Sequence, residues 1–563
     1  MTGQAAAPAG RPPRRIDWAL LAIVLAGLAM RGAFISLPRM ARWDEASYLT
    51  IAGNLLAGRG YSELLGAWDV HQPPMISLLA AGGLALKLPL ASAAAIPAHL
   101  LLGGLVVLPL YALGRAIYDR RTGLLAALLA AFYPALAVSP LYWGSMTEPP
   151  YLLFILSGLY VTYRCGLALS RGSRPWGWAA LMGLAFGLGY LTRPESLLFL
   201  AVMLVYLGLV WLFGGPPRLR GLGRLAGAAG IALATLALTA LPYLLHLHRA
   251  TGRWVLSGKA GTSMDISWAF VNRSQALHDQ ATATLDSSGR ETLWLSPEAL
   301  DRSISGWIAA DPQRFATLVR RNLRDSVAVL FGRELFQPWL ALLVLLGLAG
   351  APWTRARLRG QALLLLAVTP LASLWMVFIE PRFMVVYLAI SLVWAGAGLA
   401  QLTRWASGTV DAALGGSGAG WRGGLSRAAA VLPAALAVAA MVWSGAQTAR
   451  REIPRLPFYR LEAARWLAEN TPADAVIMTR NAETALYAGR SLIAFPRATW
   501  EETLAYADAR GARYLVVDEW EIGEVRPYLA PLLDLDNPTP LPRLTRVQSY
   551  QHPGRTTMLF RID

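Results

Sequence analysis

Cysteine, lysine and charged residues are all scarce in this chain of 563 residues. Cys165 is the single cysteine, so an intramolecular disulfide and a cysteine-based metal site are excluded. Only 15% of the residues are charged, whereas 55% are hydrophobic, and the mean hydropathy is +0.42. Several apolar runs exceed the roughly 18 residues that cross a bilayer. The composition therefore predicts a polytopic α-helical membrane protein.

Motifs of the common soluble enzyme classes are missing as well. The sequence has no Gly-rich phosphate loop, no Gly-x-Ser-x-Gly and no His-Glu-x-x-His, so soluble nucleotide use, serine hydrolysis and zinc hydrolysis have no support. His246 and His248 end an apolar run, a position more typical of interfacial histidines than of metal ligands. No metal site is predicted, and no cofactor is assigned.

The basic residues are almost all arginine, and they stand in short clusters between apolar runs. This distribution is typical of topology signals rather than of a nucleic-acid surface. Arg11, Arg14 and Arg15 precede the first run, so the positive-inside rule places the N-terminal tail in the cytoplasm and the first loop outside. We expect this first span to remain uncleaved. About eleven spans fit the rule, at 16–37, 92–114, 122–140, 148–170, 176–192, 196–214, 226–246, 337–352, 361–379, 383–402 and 428–446.

This topology also predicts the domains. Residues 1–446 would form the membrane module, with external loops at 38–91 and 247–336. The second loop is polar between short amphipathic pieces, such as Trp307 to Leu323, so it could form a lid over the outer face. The segment 75–88 is too short to cross and is expected to lie along the outer interface or to re-enter as a half-helix. Residues 447–563 alternate helical patterns, at Phe458 to Glu469 and Trp500 to Arg510, with short β-rich runs. This alternation predicts a soluble extracytoplasmic α/β domain.

Charged residues from four inter-span regions fall on the same outer face in this topology. Acids near lipid are costly and are usually retained for a function. Asp44 could act as a general base on a hydroxyl that arrives from outside. Arginine suits bidentate phosphate binding, and a phosphate held at lipid depth indicates a lipid-linked substrate. The residues that one external site could hold are Asp44, Glu45, His71, Glu148, Arg193, Glu195, Glu380 and Arg382.

A set of short motifs, in this order along the chain, resembles one family of membrane enzymes. The motifs are Asp44-Glu45 with Tyr48, Gly58 to Tyr61, His71 to Pro74, Thr147-Glu148-Pro149, Gly187 to Glu195, and Glu380-Pro381-Arg382-Phe383. They are similar to the bacterial relatives of protein O-mannosyltransferases and lipid A aminoarabinose transferases, which are GT-C glycosyltransferases. The resemblance covers nearly the whole chain. It implies a GT-C fold, a polyprenyl-phosphate-linked sugar donor, and transfer with inversion.

The resemblance also implies roles for individual residues. Asp44 would be the base and Glu148 the second carboxylate, with Glu45 as a further catalytic candidate. Several family members carry lysine just before the Pro-Pro pair, where this chain has His71-Gln72, so His71 or an arginine is expected to bind phosphate instead. The candidates for the donor phosphate are Arg31, Arg193, Arg382 and His71, and those for other substrate contacts are Tyr48, Tyr61, Gln72 and Glu380.

Structural roles remain open for several of these residues. Asp44 or Glu45 could cap the helix that begins near Ala46, and Glu148 could be a favourable acid at the start of a span. Arg31 could extend to the headgroups, while Arg193 and Arg382 could form local ion pairs. The aromatic residues that are best explained as interfacial anchors are Trp43, Trp68 and Trp143.

The sequence thus predicts a multi-pass glycosyltransferase of the cell inner membrane. It would move one sugar to a lipid, glycan or protein acceptor at the outer face, and would use no nucleic acid. The carboxylates Asp44, Glu45 and Glu148 could also hold a divalent cation. A transporter or flippase of envelope glycolipids is the alternative, although such a protein should show internal repeats or paired broken helices.

Overall fold

A computed structural model describes residues 17–63, 69–213, 218–259, 262–332, 334–350, 353–415 and 420–563. Trp68 and the arginines of the N-terminal tail lie outside the described residues.

Helices form most of the chain up to residue 452. The first group is α1 (Trp18–Ile35), α2 (Asp44–Leu56), α3 (Pro74–Ala85), α4 (Leu90–Ala93), a π-helix (Ala95–Leu102), α5 (Gly103–Leu105), α6 (Val107–Ile117), α7 (Arg120–Phe132) and α8 (Pro134–Ala137). The second is α9 (Glu148–Ser170), α10 (Trp176–Thr192), α11 (Ser196–Phe213) and α12 (Arg218–Thr251). The third is α13 (Ser263–Val271), α14 (Gln275–Ala283), α15 (Ile304–Ala310), α16 (Pro312–Leu330), α17 (Pro338–Ala349), α18 (Arg355–Val368), α19 (Leu371–Leu374), α20 (Pro381–Ala413) and α21 (Trp421–Glu452).

Among the described residues, seven helical stretches are long and apolar enough to cross a membrane. They are Trp18–Ile35, Leu90–Ile117, Glu148–Ser170, Ser196–Phe213, Gly221–Thr251, Pro381–Ala413 and Trp421–Arg455. The other four expected spans contain helices of fewer than 18 residues. These spans are 122–140, 176–192, 337–352 and 361–379. The expected span 122–140 is interrupted because Pro134 follows Tyr133, whose extended backbone ends α7.

Small residues allow the helices around α20 to approach closely. A Cβ atom added to Gly398 would lie 1.9 Å from the carbonyl oxygen of Leu343, and one added to Gly347 would lie 1.9 Å from that of Trp394. Such contact between backbones is typical of helix packing in membranes. The hydrophobic effect does not drive helices together in lipid, so close van der Waals packing at small residues does so instead. The apolar part of α20, from Met384 to Ala400, is thereby almost wholly buried.

Two loops lie beside the start of α20, and the C-terminal domain packs on both loops. The first loop (38–91) contains α2 and α3, so the segment expected to lie at the interface is the helix α3. The long loop (247–336) contains α13 to α16. The expected amphipathic stretch from Trp307 to Leu323 is two helices, because Asp311 leaves helical geometry and caps α16 by accepting a hydrogen bond from the N–H of Arg314.

The C-terminal sheet domain comprises α22 (Arg460–Asn470), β1 (Val476–Thr479), α23 (Ala482–Ala488), β2 (Ser491–Ala494), α24 (Trp500–Arg510), β3 (Ala512–Asp518), β4 (Leu544–His552) and β5 (Arg555–Ile562). The sheet order is β2-β1-β3-β5-β4, with β1 parallel to β2 and β3, and with β4 and β5 as an antiparallel hairpin. This is the expected α/β architecture. The preceding helix α21 continues to Glu452, beyond the expected end of the membrane module at 446.

The C-terminal sheet domain packs on both loops. The backbone N–H of Ala41 in the first loop donates to the Tyr487 hydroxyl at 3.0 Å. Asp279 of the long loop accepts hydrogen bonds from Arg526 at 2.9 and 3.0 Å. The domain therefore links the first loop to the long loop.

Candidate active site

Asp44 lies at the first position of α2, directly after a strained residue. Trp43 has φ 54°, in the left-handed region that few non-glycine residues adopt. Its ring packs so closely on Gly144 that a Cβ atom there would lie 3.1 Å from the ring, and the Arg42 guanidinium covers the ring at 4.1 Å. Strain of this kind is typical of functional sites and is held by surrounding packing. The Asp44 side chain keeps 37% of its surface exposed.

Arg382 is the partner of Asp44. Its guanidinium lies 3.0 Å from the Asp44 carboxylate and 2.6 Å from that of Glu380. Burial alone would raise the pKa of Asp44, but the positive charges of Arg382 and Lys259 lower this pKa below its usual value. Asp44 is therefore ionised at neutral pH.

Glu148 begins α9 and forms the second carboxylate–arginine pair. The buried carboxylate accepts hydrogen bonds from the hydroxyl groups of Ser145, at 2.9 and 3.0 Å, and Thr147, at 3.1 Å. Arg193, at the C-terminal end of α10, lies 3.3 Å away. Met146 has φ 60°, so this carboxylate also follows a strained turn. The orientation of Glu148 is thus fixed before any substrate binds.

Phe383 connects the two pairs. The guanidinium of Arg193 lies 4.5 Å from the Phe383 ring centroid, and that of Arg382 lies 4.9 Å from it. Both cations therefore pack on one aromatic ring. The buried Tyr48 follows Asp44 by one helical turn on α2, and burial and the Asp44 carboxylate raise the pKa of its hydroxyl. The structure thus brings Asp44, Tyr48, Glu148, Arg193, Glu380 and Arg382 together.

Lys259 of the long loop adds a cation that the motifs did not predict. Its ammonium group lies 3.2 Å from the Gln72 side-chain oxygen and 5.7 Å from the Trp294 ring centroid. It reaches a position beside His71-Gln72, where the family pattern led us to expect a positive charge. The polar loop around Lys259 has no motif, and the rarity of lysine in this chain was the one available signal.

His71 does not supply that positive charge. The imidazole is buried and stacks on Trp294 with ring centroids 4.4 Å apart. Burial and the nearby Lys259 charge lower the pKa of His71 to about 3, so the ring is neutral at neutral pH. A neutral imidazole can contact a phosphate only through its one ring N–H, so His71 stays a predicted phosphate contact that brings no charge.

Tyr61 and Gln72 shape the first loop. The Tyr61 hydroxyl donates to the backbone carbonyl of Gln72 at 2.8 Å. The Asp69 carboxylate accepts hydrogen bonds from the backbone N–H groups of His71 at 2.7 Å and Gln72 at 3.0 Å. Tyr61 therefore holds the loop, while the Gln72 side chain orients Lys259.

Two other candidates have structural partners. Glu45 is fully buried, and Arg39 binds both of its carboxylate oxygens at 2.7 and 2.8 Å. Arg31 is also fully buried and donates to backbone carbonyls of Gly27, Ala131 and Leu136 at 3.2 to 3.4 Å. The structure therefore gives Glu45 a buried ion pair and makes Arg31 a link between α1, α7 and α8. Neither has a described contact with the two carboxylate–arginine pairs.

The part of the chain that the structure describes contains no group of three or more His, Cys, Asp or Glu side chains placed to hold a metal ion. His246 contacts the backbone carbonyl of Asp69 at 2.7 Å, and His248 stacks on Trp254 with ring centroids 4.4 Å apart.

Comparison with known proteins relates this arrangement to a fold. Residues 71–246 match the family described as dolichyl-phosphate-mannose-protein mannosyltransferase. ArnT from Cupriavidus metallidurans, solved with undecaprenyl phosphate bound, is similar over 98% of this chain and 99% of its own, with a TM-score of 0.58 and 13% identity. The chain has the GT-C glycosyltransferase fold. The fold predicted from the motifs is thus confirmed.

A second GT-C protein is similar as well. The oligosaccharyltransferase of Archaeoglobus fulgidus matches 95% of this chain and 72% of its own, with a TM-score of 0.57 and 17% identity, in a structure with zinc and sulfate. The oligosaccharyltransferase AglB from the same archaeon, solved with an inhibitory peptide and a dolichol-phosphate, has a TM-score of 0.54 and 15% identity, over 92% of this chain and 72% of its own. No curated protein sequence is significantly similar to the chain.

Proposed function

We propose that this GT-C protein transfers one sugar from a polyprenyl-phosphate donor to an acceptor hydroxyl. The observation that carries the proposal is a half-exposed carboxylate, Asp44, set among the cations Arg382, Arg193 and Lys259. The carboxylate suits proton removal and the cations suit a phosphate. ArnT and AglB, which share the fold, were solved with undecaprenyl phosphate and with a dolichol-phosphate bound, respectively.

The reaction needs one base and no protein acid. Asp44 takes the proton of the acceptor hydroxyl as its oxygen bonds to the anomeric carbon. The bond from that carbon to the phosphate oxygen breaks, and the electron pair leaves with the polyprenyl phosphate. A phosphate is a stable anion, so positive charge rather than a proton stabilises it in the transition state. Attack opposite the leaving phosphate inverts the anomeric carbon.

The donor phosphate would also release the base. Arg382 is paired with Asp44 in the structure, at 3.0 Å. A phosphate that binds Arg382 competes for the guanidinium, which weakens its hold on Asp44 and makes the carboxylate a stronger base. Lys259 and Arg193 would hold the remaining phosphate charge. Glu148 would act by orienting Arg193, to which it is bound at 3.3 Å.

We place this site at the outer face of the cytoplasmic membrane. The arginine clusters between the spans support that orientation under the positive-inside rule. The acceptor hydroxyl would reach Asp44 from the extracytoplasmic side, whereas the donor would enter from the lipid. On this side the C-terminal sheet domain would also be extracytoplasmic.

Asp44→Asn tests the assignment of the base. The amide keeps the shape of the side chain but cannot take a proton at neutral pH, so we expect transfer to fall at least ~100-fold. The measurement is product formation in proteoliposomes supplied with a panel of polyprenyl-phosphate sugars and candidate acceptors. Asp301→Asn is the matched control, because Asp301 is an exposed acid of the long loop.

Each outcome of this experiment decides a separate point. A folded Asp44→Asn protein with wild-type turnover would remove Asp44 from the mechanism. Failure of the wild-type protein to transfer a sugar from any donor in the panel would contradict the donor class.

A further inference from the structure

A cavity of about 400 Å³ lies within the long loop, between α13 and α14. Its polar lining comes from Asp265, Gln280, Thr284, Arg302 and Arg314. None of these residues belongs to the candidate active site. The volume lies within the range of small-molecule sites, which is ~300–1,000 Å³.

The polar groups of the cavity are already held in place. Asp265 accepts hydrogen bonds from the indole N–H of Trp307 at 3.0 Å and from Arg302 at 3.0 Å. The guanidinium of Arg314 lies between two indole rings, at 4.7 Å from Trp268 and 4.6 Å from Trp307. Side chains fixed by packing lose little entropy on binding, so the cavity is preorganised.

The remaining lining is apolar. Trp268, Leu277 and Leu293 supply aromatic and aliphatic surface beside the polar groups. A sugar ring has this combined chemistry, with C–H groups on its faces and hydroxyl groups at its edge. Two guanidinium groups face one carboxylate, so the cavity carries excess positive charge, which favours a sugar that bears a carboxylate.

A series of aromatic contacts connects α13, which forms one wall of the cavity, to the candidate active site. Phe270, two residues after Trp268 on α13, stacks on Phe378 with ring centroids 4.2 Å apart and planes 4° from parallel. Phe378 in turn contacts Phe383 at 5.1 Å, the ring on which Arg193 and Arg382 pack. The cavity is therefore held in a fixed relation to both carboxylate–arginine pairs.

We infer that this cavity binds the saccharide part of the acceptor, with a preference for hexuronate-containing chains. The inference rests on the proposed function, since it assigns the acceptor class of the same enzyme. The acceptor chain is held in the long loop, and its reacting end extends past α13 toward Asp44.

The test measures binding without turnover. Full-length Asp44→Asn protein in detergent is titrated with tetragalacturonate and, separately, with maltotetraose. We expect saturable binding of tetragalacturonate and at least ~10-fold weaker binding of maltotetraose. In the same background, Arg302→Met and Trp268→Ala should each weaken tetragalacturonate binding at least ~10-fold. Arg253→Met is the matched control, since Arg253 is an exposed arginine of the long loop outside the cavity.

The outcomes separate this inference from the proposed function. Absence of saturable binding by both probes, or equal loss in the Arg302 and Arg253 variants, would overturn the saccharide site. Equal affinity for both probes would overturn the preference for acidic chains. Because no donor is present, these results stand whether or not Asp44 proves to be the base. Thermal unfolding of each variant shows that a loss of binding is not a loss of fold.

Discussion

At the scale of single residues, the site consists of acids that are each held by an arginine. Asp44 pairs with Arg382 and Glu148 pairs with Arg193, and Phe383 brings the two arginines together. Pairing offsets the cost of placing carboxylates at the end of a membrane helix. The same pairing holds Arg193 and Arg382 in place, and a lipid-linked phosphate that binds either arginine could displace its carboxylate partner.

Arg382→Met should change the pH dependence of transfer. Arg382 lowers the pKa of Asp44, so its removal raises that pKa. A base with a higher pKa is protonated over more of the acidic range. We expect the acidic limb of the kcat/KM profile to move to higher pH, with a larger loss at pH 6 than at pH 8. The measurement is the transfer rate from pH 5 to 9 in proteoliposomes.

Arg253→Met provides the comparison for this experiment, because it removes an exposed arginine of the long loop. Its profile should overlay that of the wild-type protein. A uniform loss at all pH values in the Arg382 variant would leave Arg382 as a phosphate ligand only and would contradict its action on Asp44.

The sequence predicted most members of this residue cluster but not all of their roles. Acids and arginines at the ends of apolar runs could be placed on one face from topology alone. Glu45 has the same local sequence context as Asp44, yet Arg39 binds it in the interior. Lys259 lies 187 residues from Gln72, and no local pattern encodes a contact of that separation.

At the scale of elements, apolar runs predicted where helices lie, whereas prolines and capping side chains decided where the helices begin and end. Pro134 divides the expected span at 122–140, and Asp311 divides the expected helix in the long loop. In the C-terminal sheet domain, helix α24 coincides with the expected stretch from Trp500 to Arg510. Its boundaries were readable because Thr499 and Glu502 form a capping box and Gly511 follows in the left-handed conformation.

Glu521, in the turn after β3, should make the C-terminal sheet domain sensitive to pH. Burial raises the pKa of Glu521 from 4.5 to about 7, although Arg526 opposes the shift. The folded state then binds a proton that the unfolded state releases between these values, so this contribution to stability falls as pH rises from 4.5 to 7. Glu521→Gln removes the titration. We expect the variant to be more stable than the wild-type protein at pH 8, by ~1–3 kcal/mol, and similar to it at pH 5.

Scanning calorimetry of the full-length protein at both pH values measures this difference. Glu501→Gln is the control, because Glu501 is an exposed acid on α24. If the stability of the Glu521 variant differs from that of the wild-type protein by the same amount at pH 5 and pH 8, Glu521 does not titrate in this range.

At the scale of the whole molecule, the site is covered from two directions by parts that are distant in sequence. Asp279 of the long loop is fully buried and lies 2.9 Å from Arg526 and 3.1 Å from Arg480 of the C-terminal sheet domain. The domain also contacts the first loop through Tyr487. Composition predicted a covering loop and an α/β domain, but their docking depends on charges about 200 to 250 residues apart, which leave no local signal.

Asp279→Asn should therefore loosen the long loop without touching the site itself. The substitution removes the carboxylate that holds the buried Arg526 at 2.9 Å and leaves only Glu521, at 3.6 Å, beside it. Removing one partner of a buried pair costs ~3–5 kcal/mol. We expect faster amide hydrogen exchange in α14 and in the turn that carries Arg526, together with a lower rate of transfer, because the loop that positions Lys259 would be less ordered. Hydrogen-exchange mass spectrometry of the full-length protein in detergent measures the first effect, and the proteoliposome assay measures the second. Asp301→Asn, an exposed acid of the same loop, should leave both unchanged. If amide exchange rises in α14 while transfer stays at the wild-type rate, docking of the long loop does not order the site. Lys259 would then be held by its contact with Gln72 of the first loop alone.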